Sequence, residues 1–199
     1  MKKKLIVSGA VLLAVSLGAA LAQDKGGKGG GGGRGPAVPG MALSSPDFQD
    51  GGIIPDKFTQ AAGADAPSPK LEWTNVPMAT MSFVLIMHDP DNASKKGPED
   101  TLHWMVFNIP GTARGLAGNQ PLDPKLADGS IQARGIRVGY FGPGNQAINP
   151  YHHYTWELYA LDAMLTLGPD ASRADVMGAM AGHVVGKAVL EARFKRPAQ

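Results

Sequence analysis

Between Met41 and Phe194 the chain is a succession of short apolar runs, each cut off by Pro, Gly, Asn or Asp, the punctuation of strands joined by turns. Met41 to Phe48 alternates weakly and gives way to Asp50-Gly51-Gly52. Lys70 to Asn75 predicts a short strand closed by Val76-Pro77. Met81 to His88 is the strongest apolar run, stopped by Asp89-Pro90-Asp91, and Leu102 to Ile109 is a second, stopped by Pro110-Gly111. Tyr151 to Leu161 alternates and carries Tyr151, Tyr154 and Trp156, while Lys187 to Phe194 has the alternation of a closing strand. Helical spacing is confined to the tail, where Val176, Met177, Met180 and Val184 recur at intervals that predict a core-packed stripe. Ser172 is the predicted N-cap, with Asp175 three residues on as its capping-box partner, and Gly182 or Gly186 is the predicted end. The pattern as a whole predicts a mainly β domain.

The start of the chain reads differently. Lys2, Lys3 and Lys4 precede an apolar stretch from Leu5 to Leu17, and Ala20-Leu21-Ala22 supplies the small-x-small pattern of a signal-peptide cleavage site. The stretch is short of the roughly 20 apolar residues of a membrane span, so residues 1–22 are expected to be removed on export, leaving no stable span. This changes the charge argument. Of 19 Lys+Arg, 16 remain after cleavage against 17 Asp+Glu, and the net charge moves from +2 to near −1. The basicity is targeting sequence, and an affinity for nucleic acid by charge alone is not expected. Residues 23–40 are half glycine and cannot bury enough apolar surface to offset their ordering, which predicts a disordered linker ahead of a domain spanning 41–199. With no cysteine, the chain has neither a lipid-modifiable Cys nor a disulfide framework, so stability rests on a packed core in the periplasm or outside the cell.

Three apolar runs place ionisable groups where a strand meets the surface. Phe83, Leu85, Met87 and Asp89 share one face by the period of two, and Pro90-Asp91-Asn92 turns the chain so that Asp91 stays close. His103 falls on a face with Met105 and Phe107. His152 and Tyr154 fall on a face with Trp156, Leu158 and Ala160, with His153, Thr155, Glu157 and Tyr159 on the other. If the strands are neighbours, one sheet end gathers a carboxylate, two imidazoles and a phenol. Imidazole N–H and phenol O–H groups donate to phosphate or carboxylate oxygens, and Asp89 orients a histidine or pairs with an ammonium. By spacing alone, a histidine on an apolar face is more often a satisfied core residue than a ligand contact. His88 falls opposite Asp89 and reads as structural, Trp73 and Trp104 as packing, and Lys95-Lys96 as a solvated pair in a loop.

The runs SFVLIMHDPDNAS, LHWMVFNIPG and YFGPG…YHHYTWELYALD, in this order, resemble the phosphatidylethanolamine-binding protein family, also called the Raf kinase inhibitor protein family, and its bacterial branch most closely. SSPDFQDGGIIPDKFT, SPKLEWTNVP and MGAMAGHVVGKAVLEARFKR extend the resemblance over about residues 41 to 196. It implies an antiparallel β-sandwich with a few peripheral helices, one of them near the C-terminus, and a shallow anion pocket. Carried over position by position, the pocket takes Asp89 and Asp91 from the Asp-Pro-Asp turn, His103 five residues before Asn108, His152 and Tyr154 from the third motif, and Gly142 and Pro143 from the loop before it. The chain departs from the family pattern in that loop, where Gly142-Pro143-Gly144-Asn145-Gln146 lacks the usual proline pair. It also departs at His153, where an arginine is usual, and at Ala93 after the Asp-Pro-Asp turn.

The expected function is therefore an exported, non-enzymatic binding protein for phosphate-bearing head groups or other small anions, without cofactor or metal. A protein-interaction module inhibiting a kinase or protease is the alternative the family implies, and a homodimer is compatible with either. A hydrolase using Asp89 and His103, or a metal site of His103, His152 and Asp89, has less behind it. There is no HExxH or Cys/His spacing, no Gly-x-Ser-x-Gly elbow and no cysteine nucleophile.

Overall fold

The structure, a computed structural model, describes residues 40–93 and 97–198. The expected signal sequence, all of the expected linker before Gly40, and Lys95-Lys96 lie outside the described residues. Nine strands are described: β1 (Ala42–Ser44), β2 (Gly52–Ile53), β3 (Leu71–Thr74), β4 (Ser82–Asp89), β5 (Thr101–Pro110), β6 (Gly115–Leu116), β7 (Ile131–Ala133), β8 (His152–Leu161) and β9 (Val184–Phe194). They form a six-stranded sheet in the order β2-β9-β8-β4-β5-β7 and a three-stranded sheet in the order β1-β3-β6. All pairings are antiparallel except that of β2 with β9. The mainly β sandwich is thus as expected. Its helical part is smaller than expected: among the described residues it is one 3₁₀ turn (Asp56–Phe58) and one α-helix, α1 (Arg173–Met180).

The large sheet is covered on both faces, which is why β4 reads as an unbroken apolar run rather than an alternation. Phe83, Leu85 and Met87 of β4, Trp156 and Leu158 of β8, and Leu190 and Ala192 of β9 pack against Leu43, Leu71, Trp73 and Leu116 of the small sheet. On the other face Val84, Ile86, Met105, Phe107 and Tyr159 pack beneath Leu165 and the Val176 and Met180 side chains of α1. Complete burial of each large apolar side chain contributes about 1.5–3 kcal/mol relative to exposure. β9 extends past this cover, so its burial alternates along its length.

α1 begins as its sequence predicts. Ser172 Oγ accepts from the Asp175 N–H, and the Ser172 N–H donates to Asp175 Oδ2, satisfying two of the donors a helix start leaves free. The predicted stripe is only partly right. Val176 and Met180 are buried, Met177 is exposed, and Val184 belongs to β9. Gly182, at φ +84, turns the chain out of the helix after Met180, and Gly186 lies inside the strand.

β5 carries two bulges, and they decide where the site's side chains point. Met87 pairs with Trp104 while His88 pairs with Leu102, so His103 is an extra residue with no opposite number on β4. Phe83 pairs with Ile109 while Leu85 pairs with Val106, which sets Phe107 and Asn108 against the single residue Val84. Asn108 adopts φ +57, a left-handed conformation that Asn tolerates better than most side chains. Its amide clasps the backbone of Leu165, donating to the carbonyl and accepting from the N–H, each at 2.8 Å. That clasp fixes the segment leading to α1.

Candidate functional site

Period two puts His103 on a face with Met105 and Phe107; the structure puts it on the other. The bulge advances the strand by one residue, so His103 and Trp104 both turn toward the small-sheet side, while Met105 and Phe107 face α1. The bulge brings His103 toward Asp89 at the end of β4 and toward His152 and Tyr154 at the start of β8. Asp89, His103, His152 and Tyr154 all line one open pocket of about 270 Å³.

Asp89 is 3% exposed, and its oxygens are occupied. Oδ1 accepts the Asp91 N–H at 3.0 Å, an Asx turn that shapes the Asp-Pro-Asp corner, and Oδ2 accepts from His152 Nδ1 at 2.8 Å. The Tyr154 hydroxyl lies beside the same carboxylate, and burial together with that negative neighbour pushes the phenol's pKa well up, so the hydroxyl stays protonated. The His103 ring meets the Tyr154 ring edge-on, centroids 5.2 Å apart. His103 Nδ1 lies 2.7 Å from the Phe141 carbonyl oxygen, and the His103 carbonyl accepts the Phe141 N–H at 3.1 Å. A carbonyl only accepts, so Nδ1 carries the proton, and that imidazole N–H is spent on the protein rather than offered to a ligand.

Burial pulls His103 below its ordinary pKa, against smaller opposing contributions from the Phe141 carbonyl and Asp89. The unfolded chain therefore takes up this proton first as pH falls below about 6.5. The histidine's share of stability is complete above that pH and is lost below it. Urea unfolding at pH 7.5 and 5.5 is expected to show a larger loss for the wild type than for His103→Leu, by at most about 1.4 kcal/mol per pH unit below 6.5. Parallel pH profiles for the two proteins would contradict this.

Three expected residues do not line the pocket. Asp91 turns away and accepts from the His153 backbone N–H at 2.6 Å and from His153 Nδ1 at 2.8 Å. Partial burial disfavours its charge, but these bonds from His153 outweigh that and hold the carboxyl below the usual carboxylate range. Gly142 and Pro143 act as a brace instead. The Gly142 carbonyl accepts from Gln60 Nε2 at 2.9 Å and the Pro143 carbonyl from the Gln60 N–H at 2.8 Å. A Cβ on Gly142 would stand 2.7 Å from the Phe58 carbonyl oxygen, so only glycine allows this approach.

The remaining wall is made of residues not assigned to the pocket from the sequence, although Gly144, Asn145 and Gln146 belong to the loop that the family likeness put there. Gln60, Asn92 and Thr101 contribute, and the 134–151 segment adds Ile136, Phe141, Gly144, Asn145, Gln146 and Asn149. Turn-forming Asn and Gln carry no periodic signal, so only the contacts that fold the loop reveal them. Among those are the Tyr140 hydroxyl bond to the Phe58 carbonyl (2.7 Å) and the Asn145 Nδ2 bond to the Pro150 carbonyl (2.7 Å). Trp73 and Trp104 are core residues, as expected, with their indole N–H groups bonded to the Ala113 carbonyl and to Gln132. His88 pairs with Asp100 on the face away from the pocket.

Comparison with known proteins gives a consistent picture. The family model described as phosphatidylethanolamine-binding protein matches residues 44–195. The chain is 40% identical over 158 residues to a UPF0098 protein of Methanothermobacter thermautotrophicus, an alignment covering 78% of this chain and 99% of that one. It is 33% identical over 161 residues to a Mycobacterium tuberculosis protein, LppC, whose name carries the label lipoprotein, covering 80% of this chain and 75% of that one. Among solved structures it is similar to a Chlamydia trachomatis protein described as a phosphatidylethanolamine-binding protein homolog, with a TM-score of 0.67 and 27% identity, covering 79% of this chain and 99% of that one.

Proposed function

From the premise that the chain belongs to the phosphatidylethanolamine-binding protein family, we propose that it is an exported binding protein, not an enzyme, that holds a phosphate-bearing or other small anionic ligand in the Asp89–His152 pocket. The observation that carries this reading is the convergence of Asp89, His103, His152 and Tyr154 on one open hollow of about 270 Å³. With Nδ1 bonded to Asp89, His152 keeps Nε2 for a ligand, and the carboxylate fixes the orientation of the ring. The side chains of Thr101, Gln146 and Asn149 add hydroxyl and amide donors suited to oxyanion oxygens. The lipoprotein label on LppC and the signal-like start of the chain support export.

Calorimetric titration with phenyl phosphate tests the site. His152→Ala is expected to weaken binding about tenfold or more, and Tyr154→Phe by a smaller factor. Equal affinities in wild type and both variants would remove the assignment.

A further inference from the structure

We propose that Met78 and Met81 form a site for a soft monovalent metal ion, copper(I) or silver(I), at the end of the sandwich away from the anion pocket. The chain has nine methionines and no cysteine, so thioethers are the only soft sulfur ligands it has. Thioether sulfur is a neutral, polarisable donor that favours Cu(I) over harder divalent ions. Met87, Met105 and Met180 are packed in the core, and Met41 leans on it. Met78 is fully exposed and Met81 is 56% exposed, so core packing does not account for a methionine at either position. A single exposed apolar side chain is ordinary, but these two share one hollow.

The local fold brings them there. After β3 the Pro77 carbonyl accepts from the Thr80 N–H at 3.1 Å and from Thr80 Oγ1 at 2.7 Å, which closes a turn with Met78 inside it and Met81 just beyond. Met81 is pinned on both sides, its N–H donating to the Leu161 carbonyl at 2.7 Å and its carbonyl accepting the Gly111 N–H at 2.9 Å. Gly111 allows that approach, since a Cβ there would collide with the Thr80 carbonyl. Both methionines line an open hollow of about 370 Å³ with Thr112 and Arg114. Among the described residues that line it there is no carboxylate or imidazole, and the Arg114 guanidinium, held by the Gly111 and Ala113 carbonyls, adds a fixed positive charge. Calcium, magnesium and zinc, which need oxygen, imidazole or thiolate ligands, find none of their preferred partners in these side chains. A singly charged ion bonded through sulfur is repelled less by Arg114. A strand rises about 3.3 Å per residue, so the step from Met81 to Asp89 puts the two sites roughly 25 Å apart, and neither reading rests on the other.

The test is carbon-13 NMR of the methionine methyl groups of the wild-type protein, titrated with silver(I) nitrate and, without oxygen, with copper(I). The first equivalent is expected to move the Met78 and Met81 signals. Met164 and Met177, exposed but outside the hollow, are expected to stay in place, and zinc(II) is expected to move none of the four. Met78→Leu and Met81→Leu keep an apolar surface side chain of similar volume and so preserve the fold. Each is expected to weaken silver(I) binding in calorimetry by at least about tenfold, the lower end of what loss of an outer-shell partner alone costs a metal site. Shifts spread evenly over all four exposed methionines overturn the site. So do histidine signals that move while the methionine methyls stay, or leucine variants that bind as tightly as wild type.

Discussion

Asp89→Ala is expected to abolish ligand binding and to cost about 3–4 kcal/mol of folding stability. The carboxylate is almost wholly buried and accepts from the Asp91 N–H and the His152 ring, with the Tyr154 hydroxyl beside it. Truncation removes the shared acceptor and leaves these donors to find new partners in a partly dehydrated hollow. Each stranded group costs about 1–3 kcal/mol, and some of that is recovered by water entering the pocket. Asp89→Asn is the sharper comparison, because it keeps the shape but turns an N–H₂ toward at least one donor. It is expected to lose most of the binding and roughly half as much stability. Urea unfolding and phenyl phosphate titration of the three proteins measure both quantities. An Asp89→Ala protein within about 0.5 kcal/mol of wild type that still bound ligand would show that the carboxylate organises nothing.

Asn108→Ala is expected to produce an equally large loss of stability with almost no change at the pocket. The substitution strands the N–H and carbonyl of Leu165, which the amide clasps at 2.8 Å, and places alanine at φ +57. Stranded backbone groups contribute about 1–3 kcal/mol and the left-handed conformation about 1 kcal/mol more, for a total of about 3 kcal/mol. In a domain of this size that lowers the Tm by roughly 6–12 °C. Asn108→Gly removes the backbone strain and keeps the loss of hydrogen bonds, so it should recover about 1 kcal/mol of the deficit. Ligand affinity should stay within about twofold, because Leu165 and α1 lie on the face of the sheet opposite the pocket. Thermal unfolding of the two variants beside wild type tests the stability terms, and a phenyl phosphate titration tests their separation from binding.

How much the sequence revealed depended on whether a residue's position was set by a period. β3, β4, β5 and β8 lie within a residue or two of their predicted runs, because alternating or continuous apolar residues bounded by Pro, Gly, Asn and Asp leave little freedom. β9 begins three residues before Lys187, since Gly182 ends the helical segment sooner than the Val184 spacing indicated. β2, β6 and β7 are two or three residues long, too short to show any period. The faces of Asp89, His152 and Tyr154 were legible because β4 and β8 alternate up to their ends, whereas their convergence came from the family likeness, since alternation does not say which strands are neighbours. His103 was assigned to the pocket by family likeness and to the wrong face by alternation, because a bulge is a departure from the period that defines a face. Of the Gln and Asn wall, only the loop carrying Asn145 and Gln146 was legible, through the family likeness; Gln60, Asn92 and Asn149 were not assigned to the pocket. The wall's residues come from loops held by contacts across long stretches of chain, such as Gln60 with Gly142.

The unopposed position of His103 in β5 has a consequence for how such a pocket diversifies. A residue outside the ladder can be exchanged without shifting which side of the sheet its neighbours face, so the chemistry offered to a ligand varies independently of the pairing that holds the sandwich together. Insertion or loss of a residue between Trp104 and Phe107 has no such freedom, because it would move side chains packed in one face's core into the differently shaped core of the other.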